Sequence, residues 1–382
     1  MGVKDGYGTR GGVLVENPFY VLLAFIGLYL VVDLALKLGG VALELGGFKV
    51  IGGSEPLSSF LTKVVNGLLR GLIIGLTGIG LSMTYSILGF ANFAHGDFIT
   101  VGAFIGTGTS YVIAGVFGAA TYDIGALTLM EVEAFRLGLS ITGGPLAFGA
   151  IVLGLLISGV GTVGVVLLVD RLAFEPIRDR SSVSLLITSI GVALVIRYLV
   201  NFVWGTSKRS TYAGAWDLAI PVGNGIVKID AHDLALLVIS VSLMLVVHLL
   251  LQTSKLGKAM RAMADNKDLA RVTGIPTDRV IRFTWILGGS LTGVAGYTWV
   301  LWRGTFGWFD GWLFLLLVFA AVILGGIGSI YGAMAGGIII GLTLALSTIF
   351  IPSTLAKASA FALMIVVLVV KPSGLFGGRT TA

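Results

Sequence analysis

The sequence predicts an all-α protein, a polytopic bundle of about ten membrane-spanning helices. Of its 382 residues, 56% are hydrophobic and only 12% are charged, and the mean hydropathy is +1.00. Several stretches of about 18 or more residues carry almost no charge, which is enough length to cross a ~30 Å hydrocarbon core. The 57 glycines favour a compact bundle, because small residues let helices in a membrane approach closely.

The apolar stretches place the spans at 19–37, 64–88, 98–118, 147–169, 183–203, 233–252, 282–301, 312–327, 331–350 and 356–370. The first stretch lacks a small-residue cleavage site and is predicted to be a retained span. The stretch 312–327 is short and ends in a glycine cluster, so it predicts a full span or a broken, re-entrant helix.

Loop charges predict the orientation, because cytoplasmic loops are enriched in Lys and Arg. If the N-terminus is cytoplasmic, the loops on its side hold 14 of the 25 Lys and Arg residues, against 7 in the opposite loops. Both termini are then cytoplasmic. Spans 2–5 would begin outside and spans 7–10 inside, which predicts an inverted repeat of the kind found in many transporters.

One strongly basic, amphipathic segment interrupts the apolar chain between Lys255 and Arg282, with seven Lys and Arg against three Asp. Its apolar residues recur at helical spacing, with its cations on other faces. Asp265 is predicted to cap a second short helix that ends at Gly274. Two short surface helices of this kind can offer a separate motor a surface to act on, or rest on anionic lipid headgroups.

Polar residues are concentrated in the sequence ILGFANFAHGDFI, which contains Asn92, His95 and Asp97. Polar and ionisable groups near membrane depth are costly and often functional. The alternative is a tight cytoplasmic turn in which Asn92 and Asp97 cap the two flanking helices.

The third candidate feature, GGIGSIYGAMAGG, includes Gly325, Gly326 and Gly328. It predicts either a broken helix whose free backbone groups line a pathway or tight helix packing. Three isolated cations lie within predicted spans or at their ends: Arg70, Arg197 and Lys357. Such side chains can pair with backbone carbonyls or Asp, or extend to a membrane interface.

Several functions are excluded or disfavoured by what the sequence lacks. It has no Cys, so thiolate chemistry is excluded, and with only three His a metal centre built from histidines is disfavoured. It has no GxxxxGK[ST] phosphate loop and no hydrolase motif, so we expect no enzymatic activity and no cofactor. The net charge of +6 needs no nucleic acid to explain it. Asp33 is the one carboxylate in a predicted span that could serve an ion-coupled carrier.

Three segments together resemble one family: GFANFAHGDFITVGAF, KAMRAMADNKDLARVTGIPTDRVIRFTWILGGSLTGVAG and AAVILGGIGSIYGAMAGGIIIG, with VVLVVKPSGLFG at the end. They are similar, in this order, to the permease subunits of the branched-chain amino-acid ABC importers. The resemblance covers Val65 to Gly377. Asp97 stands where Glu is common in the family.

The resemblance implies an importer in a cell (plasma or inner) membrane, with two permease subunits, two ATPase subunits and an extracytoplasmic binding protein. It assigns residues 253–281 to a loop that couples to the ATPases, with the residues Lys258, Arg261, Ala262, Asp265, Asp268, Arg271 and Gly274. The resemblance extends to the stretch Asn92–Asp97, and together with the glycine cluster we predict a path for the substrate at Asn92, His95, Asp97, Gly325, Gly326 and Gly328. The permease domain is expected at 63–380; the extension 1–62 and an enlarged loop 119–146 depart from the family pattern.

The expected substrates are branched-chain or other hydrophobic amino acids. Urea or short amides are the nearest alternative within this family. A stand-alone carrier driven by an ion gradient is the alternative from a different class.

Overall fold

The computed structural model describes residues 18–45, 48–116, 145–210 and 217–377. It confirms the all-α class. The α-helices are α1 Pro18–Leu38, α2 Leu57–Leu88, α3 His95–Val116, α4 Pro145–Val169, α5 Ser182–Trp204, α6 Ala231–Thr253, α7 Lys255–Asp265, α8 Lys267–Val272, α9 Thr277–Arg303, α10 Asp310–Gly325, α11 Ile330–Leu346 and α12 Ala356–Val370. Within these residues, short strands form three two-stranded sheets: β1 Ala42–Leu45 with β2 Phe48–Gly52, β3 Arg209–Ser210 with β6 Thr305–Phe306, and β4 Asp217–Val222 with β5 Gly225–Asp230.

Seven helices in the described residues are long and apolar enough to cross a membrane. They are Pro18–Leu38, Leu57–Leu88, Gly149–Ile177, Ser182–Trp204, Ala231–Thr253, Ile330–Ile349 and Ser353–Val370. Helix α10 is apolar but has only 16 residues, fewer than the ~20 that a hydrocarbon core requires. Helices α3 and α9 occupy the predicted spans 98–118 and 282–301, except that 117–118 lie outside the described residues. Most of α9 is buried, so its sequence can be less apolar than that of a lipid-facing helix.

Side-chain caps fix where several helices begin. Ser181 accepts a hydrogen bond from the backbone N–H of Ser184 at the start of α5, and Ser329 caps α11 in the same way. Helix α6 begins with a reciprocal capping box between Asp230 and Asp233. Each cap satisfies backbone donors that a helix start leaves unpaired.

Glycine allows the central helices to pack with their backbones in contact. A Cβ at Gly337 of α11 would overlap the backbone of Gly75 in α2, and a Cβ at Gly102 of α3 would overlap Gly293 of α9. By contrast, a Cβ at Gly164 of α4 would meet nothing within 4 Å. The glycine-rich texture of the sequence therefore serves close packing at particular helix crossings.

The described chain divides into two compact units. One holds the described residues before Lys63, together with Ile220–Val227. Within it, the buried Asp33 accepts a 2.6 Å hydrogen bond from the backbone N–H of Gly52, and its other oxygen lies 2.6 Å from Lys37 Nζ. The candidate carboxylate for ion coupling is thus engaged in local contacts between α1 and β2.

The other unit contains the remaining described residues, including helices α3–α12. Its surface carries an exposed ion pair, in which Lys228 Nζ lies 2.9 Å from Asp217 Oδ2. Hydrogen bonding by the Lys228 ammonium lowers the pKa of Asp217 from its usual value.

The inverted relation between spans 2–5 and 7–10 stays a prediction.

Candidate functional site

The polar residues after α2 lie in a short connection that leads into α3. Helix α2 ends at Leu88, and Gly89 adopts a left-handed conformation with φ +74. The side-chain oxygen of Asn92 accepts a 3.0 Å hydrogen bond from the backbone N–H of Ala94. The Asn92 side chain is fully buried and stabilises the backbone that leads into α3.

His95, the first residue of α3, lies deep among the helices. Its Nε2 is 3.1 Å from the carbonyl oxygen of Thr77 in α2 and 3.1 Å from Thr292 Oγ1 in α9. Because a carbonyl oxygen can only accept, Nε2 carries the hydrogen and donates it. Thr77 lies three turns before the end of α2, about 16 Å along the axis. Residues 89–94 therefore run back along the bundle instead of forming a tight turn at its end.

Asp97 forms an ion pair with Arg197 of α5. Arg197 Nε donates to Asp97 Oδ1 at 3.0 Å, and Arg197 Nη2 donates to Oδ2 at 2.9 Å. The guanidinium also lies 4.4 Å from the centre of the Trp312 ring and 5.1 Å from that of Phe309. Asp97 therefore does not cap a helix. Together with Arg197, it ties α3 and α5 to the start of α10.

The glycine cluster after α10 forms a closed turn. Gly326 and Gly328 both have positive φ, +107 and +87, and α11 begins shortly afterwards. The carbonyl oxygen of Gly325 accepts a hydrogen bond from the backbone N–H of Phe376, and that of Leu324 accepts one from Leu375, both at 2.9 Å. These carbonyls are paired, so the geometry favours the packing alternative over free backbone groups that line a path.

The basic segment folds into the two predicted short helices, α7 and α8. Ser254 caps α7 by accepting from the backbone N–H of Gly257 at 2.9 Å. The predicted cap of α8 was wrong by one residue: Asn266, not Asp265, accepts from the backbone N–H of Leu269, also at 2.9 Å. Asp265 is the last residue of α7. Asn266 is the cap because its backbone is extended, as a capping residue requires.

Helix α8 ends as predicted before Gly274, whose φ of +85 is the left-handed conformation common after helices. Arg271 O accepts from the backbone N–H of Gly274 at 3.2 Å, and Ala270 O accepts from that of Ile275 at 3.0 Å. Both ends of the helix pair are thus fixed by local hydrogen bonds.

One face of this helix pair attaches to the bundle. Met260, Met263 and Ala270 are buried, and Arg261 Nη1 donates to the carbonyl oxygen of Leu251 at 2.6 Å. Ala262, also in α7, is half-buried.

The opposite face of the pair is exposed, and it carries Lys258, Asp265, Asp268, Arg271 and Gly274. Two apolar side chains accompany these groups: Leu269 is 60% exposed and Val272 is 84% exposed. Sequence reasoning missed them, because the helical pattern of α7 drew attention to its buried face. We call the exposed surface of α7 and α8 the coupling face.

The described residues bring the predicted site groups to separate places. His95 and Asp97 contact different helices inside the bundle, whereas the coupling face lies on the surface. Among these residues, no group of three or more His, Asp or Glu side chains could bind a metal ion.

Comparison with known proteins decides the family. The model of the branched-chain amino acid transport system permease component matches residues 63–370, most of the chain. The protein belongs to this family. It is a multi-pass membrane protein and the membrane subunit of a transporter.

The chain matches curated relatives over nearly the whole length of those proteins. The chain is 29% identical over 334 residues to the high-affinity branched-chain amino acid transport system permease protein LivH of Escherichia coli, covering 85% of this chain and 97% of that protein. It is 31% identical over 327 residues to LivH of Salmonella typhimurium, with the same coverage. For the BraD permease protein of Pseudomonas aeruginosa, the identity is 28% over 321 residues, covering 83% and 96%. No solved structure matches the chain at a significant level.

Proposed function

We propose that this chain forms the path by which an ATP-driven importer carries branched-chain or other hydrophobic amino acids across an inner membrane. Two separate ATPase subunits drive it, a second permease subunit pairs with it, and an extracytoplasmic binding protein delivers the substrate. Both termini face the cytoplasm. The coupling face is the observation that carries this proposal beyond family membership.

The coupling face has the properties of a docking surface for another protein. Leu269 and Val272 are exposed on a helix whose two ends are fixed, and exposed large apolar groups grouped with charges are typical of interaction sites. The buried Met260 and Met263 attach the same pair to the bundle. A push on α7 and α8 would therefore reach the bundle that contains α3, with His95 and Asp97.

The alternative of an ion-coupled carrier loses its main candidate residue. Asp33 pairs with Lys37, and the buried Asp97 is bound by Arg197 through two hydrogen bonds. Both carboxylates are therefore already engaged by a cation of the chain itself.

Reconstitution tests the energy source. In liposomes, the chain alone should neither hydrolyse ATP nor concentrate leucine under any ion gradient. With its ATPases, binding protein and second permease, it should accumulate leucine in an ATP-dependent way that survives collapse of the proton gradient. Uptake by the isolated chain that follows an ion gradient would overturn the proposal, and ATP-driven uptake of urea in place of leucine would move it to the alternative substrate class.

Charge introduced on the coupling face tests the docking role. Leu269→Asp and Val272→Asp should each reduce co-purification of the ATPases at least tenfold and abolish transport. Ile226→Asp is the matched control, because Ile226 is 57% exposed but lies in β5. Normal ATPase recovery with both variants of the coupling face would contradict the assignment.

A further inference from the structure

A second polar feature lies at the end of the bundle opposite the coupling face. Helix α9 starts beside α8 and rises about 40 Å over its 27 residues. Where α9 ends and α10 begins, a partly open cavity of about 380 Å³ lies among α2, α9, α10, α11 and the start of α12. This volume falls within the ~300–1,000 Å³ range of small-molecule sites.

The cavity contains an excess of positive charge. Among the described residues that line it, the cations are Arg70, Lys208, Arg303 and Lys357, and the single acidic residue is Asp310. Arg70 lies over the Trp302 ring, 5.4 Å from its centre. Within the described residues, no carboxylate lies within 4.0 Å of the Arg70 guanidinium. A cation in such a place favours a carboxylate, with which Arg forms two parallel hydrogen bonds.

Asp310 supplies a buried carboxylate with unused capacity. Its residue is only 6% exposed. Oδ1 lies 3.7 Å from Arg303 Nη1 and 3.9 Å from Lys208 Nζ, which is too long for hydrogen bonds. Among the described atoms, Oδ2 is buried and has no hydrogen-bond partner. A buried carboxylate that lacks hydrogen bonds is costly, and a cationic group of a ligand beside it would stabilise its charge.

The wall between these charges is apolar. Leu317 of α10 and Leu344 of α11 line the cavity, as do Trp299 and Phe314, whose rings stack with centres 4.4 Å apart. The cavity therefore presents cations, one unsatisfied carboxylate and a branched apolar surface to a single small ligand.

We propose that this cavity is a binding site for a zwitterionic α-amino acid with an apolar side chain. Arg70 binds the α-carboxylate, the Asp310 carboxylate pairs with the α-ammonium, and the side chain lies against Leu317 and Leu344. Because an α-amino acid carries both charges on one carbon, it satisfies both groups at once. Urea and simple amides lack the carboxylate and would leave Arg70 unpaired. The choice of an apolar amino acid rests on the proposed function.

The test compares ligands that each lack one charge. The full chain in lipid nanodiscs, with any co-purifying subunits but without the binding protein, is dialysed against radiolabelled leucine, 4-methylpentanoate and leucinamide. Leucine should bind saturably, and the other two at least tenfold more weakly, because 4-methylpentanoate lacks the ammonium and leucinamide lacks the carboxylate.

Two variants should separate the contributions of Asp310 and Arg70 to ligand binding. Asp310→Asn should weaken leucine at least tenfold and leave 4-methylpentanoate unchanged. Arg70→Gln should weaken leucine and 4-methylpentanoate but leave leucinamide unchanged. The controls Asp217→Asn and Arg180→Gln alter exposed charges outside the cavity and should bind all three ligands as the wild type does.

Several results would overturn the site. They are absence of saturable leucine binding, leucinamide binding as tightly as leucine, and an equal loss of all three ligands in both cavity variants. If, in a separate pull-down with the binding protein, Arg70→Gln released that protein but left leucine affinity intact, the cavity would hold an acidic side chain of the binding protein, which also overturns the site.

Together with the uptake assay in liposomes, the binding experiment separates the site from the proposed function. ATP-driven leucine uptake by a transporter whose permease binds no leucine would remove the site and leave the function. Saturable leucine binding without ATP-driven uptake would support the site and contradict the function.

Discussion

Asp97 and Arg197, 100 residues apart in the chain, form an ion pair with two hydrogen bonds inside the helical bundle. The Asp97 side chain is fully buried and that of Arg197 is 6% exposed. The contact of Arg197 with Trp312 extends the pair to a third helix. The pair thus connects α3, α5 and α10 at the level where α3 begins.

Removing one partner of this pair should destabilise the fold strongly. Asp97→Asn or Arg197→Gln leaves an uncompensated buried charge, at a cost of about 3–5 kcal/mol. The double variant should recover a large part of the loss, since both charges are then gone. Thermal unfolding of the purified protein in nanodiscs measures this.

The control for the ion pair is Asp217→Asn, which breaks the exposed pair with Lys228. Solvent screens that pair, so its loss should shift the melting temperature little. If Asp97→Asn had the same melting temperature as this control, the buried pair would not be a stabilising contact.

Contacts between residues far apart in the chain, such as this pair, could not be predicted from the sequence. The composition and the apolar stretches predicted the helical bundle, and the two ends of α8 could be predicted because capping is local, apart from the shift from Asp265 to Asn266. By contrast, nothing in the sequence links Asp97 to Arg197, or Gly325 to Phe376. Such pairs depend on helix arrangement, as does the cavity that brings Arg70 and Asp310 together.

His95 should be replaceable by a residue that keeps a donor at the same place. His95→Ala removes the donor to Thr77 O and the contact with Thr292, so we expect transport to fall at least tenfold while the ATPases stay bound. His95→Gln can place an amide N–H near the position of Nε2 and should restore much of the rate. Uptake by the reconstituted transporter measures both.

For His95, ATPase recovery serves as the internal control, because a general loss of folding would lower recovery and transport together. Transport by His95→Ala at the wild-type rate would assign this side chain a role in the turn alone.

Close packing at Gly337 should make this position intolerant of even one methyl group. Gly337→Ala places a Cβ against the backbone of Gly71 and Gly75, so α2 and α11 must separate. Overpacking of this kind costs about 1–3 kcal/mol. Gly164→Ala adds the same methyl group where nothing lies within 4 Å and should leave the melting temperature unchanged or raise it. Equal melting temperatures for the two variants would show that the α2–α11 contact does not limit stability.

Coupling between ATP hydrolysis and transport should depend on an intact α7. Ala262 lies in the second half of this helix, and Ala262→Pro removes an internal hydrogen bond and clashes with the preceding turn, at a cost of about 3 kcal/mol. The buried contacts of Met260 and Met263 then no longer move with the coupling face. We expect transport to be abolished while the chain still inserts into the membrane and ATP hydrolysis by the assembled complex continues.

Lys255→Pro is the matched control for α7, because Lys255 is the first residue of this helix, where proline fits. Ser254 already has the extended backbone, φ −83 and ψ 153, that a residue before proline adopts. The control should transport at a rate close to that of the wild type. Leucine uptake and phosphate release, measured on the same proteoliposomes, give the coupling ratio, and near-normal uptake by Ala262→Pro would show that force reaches the bundle by another route.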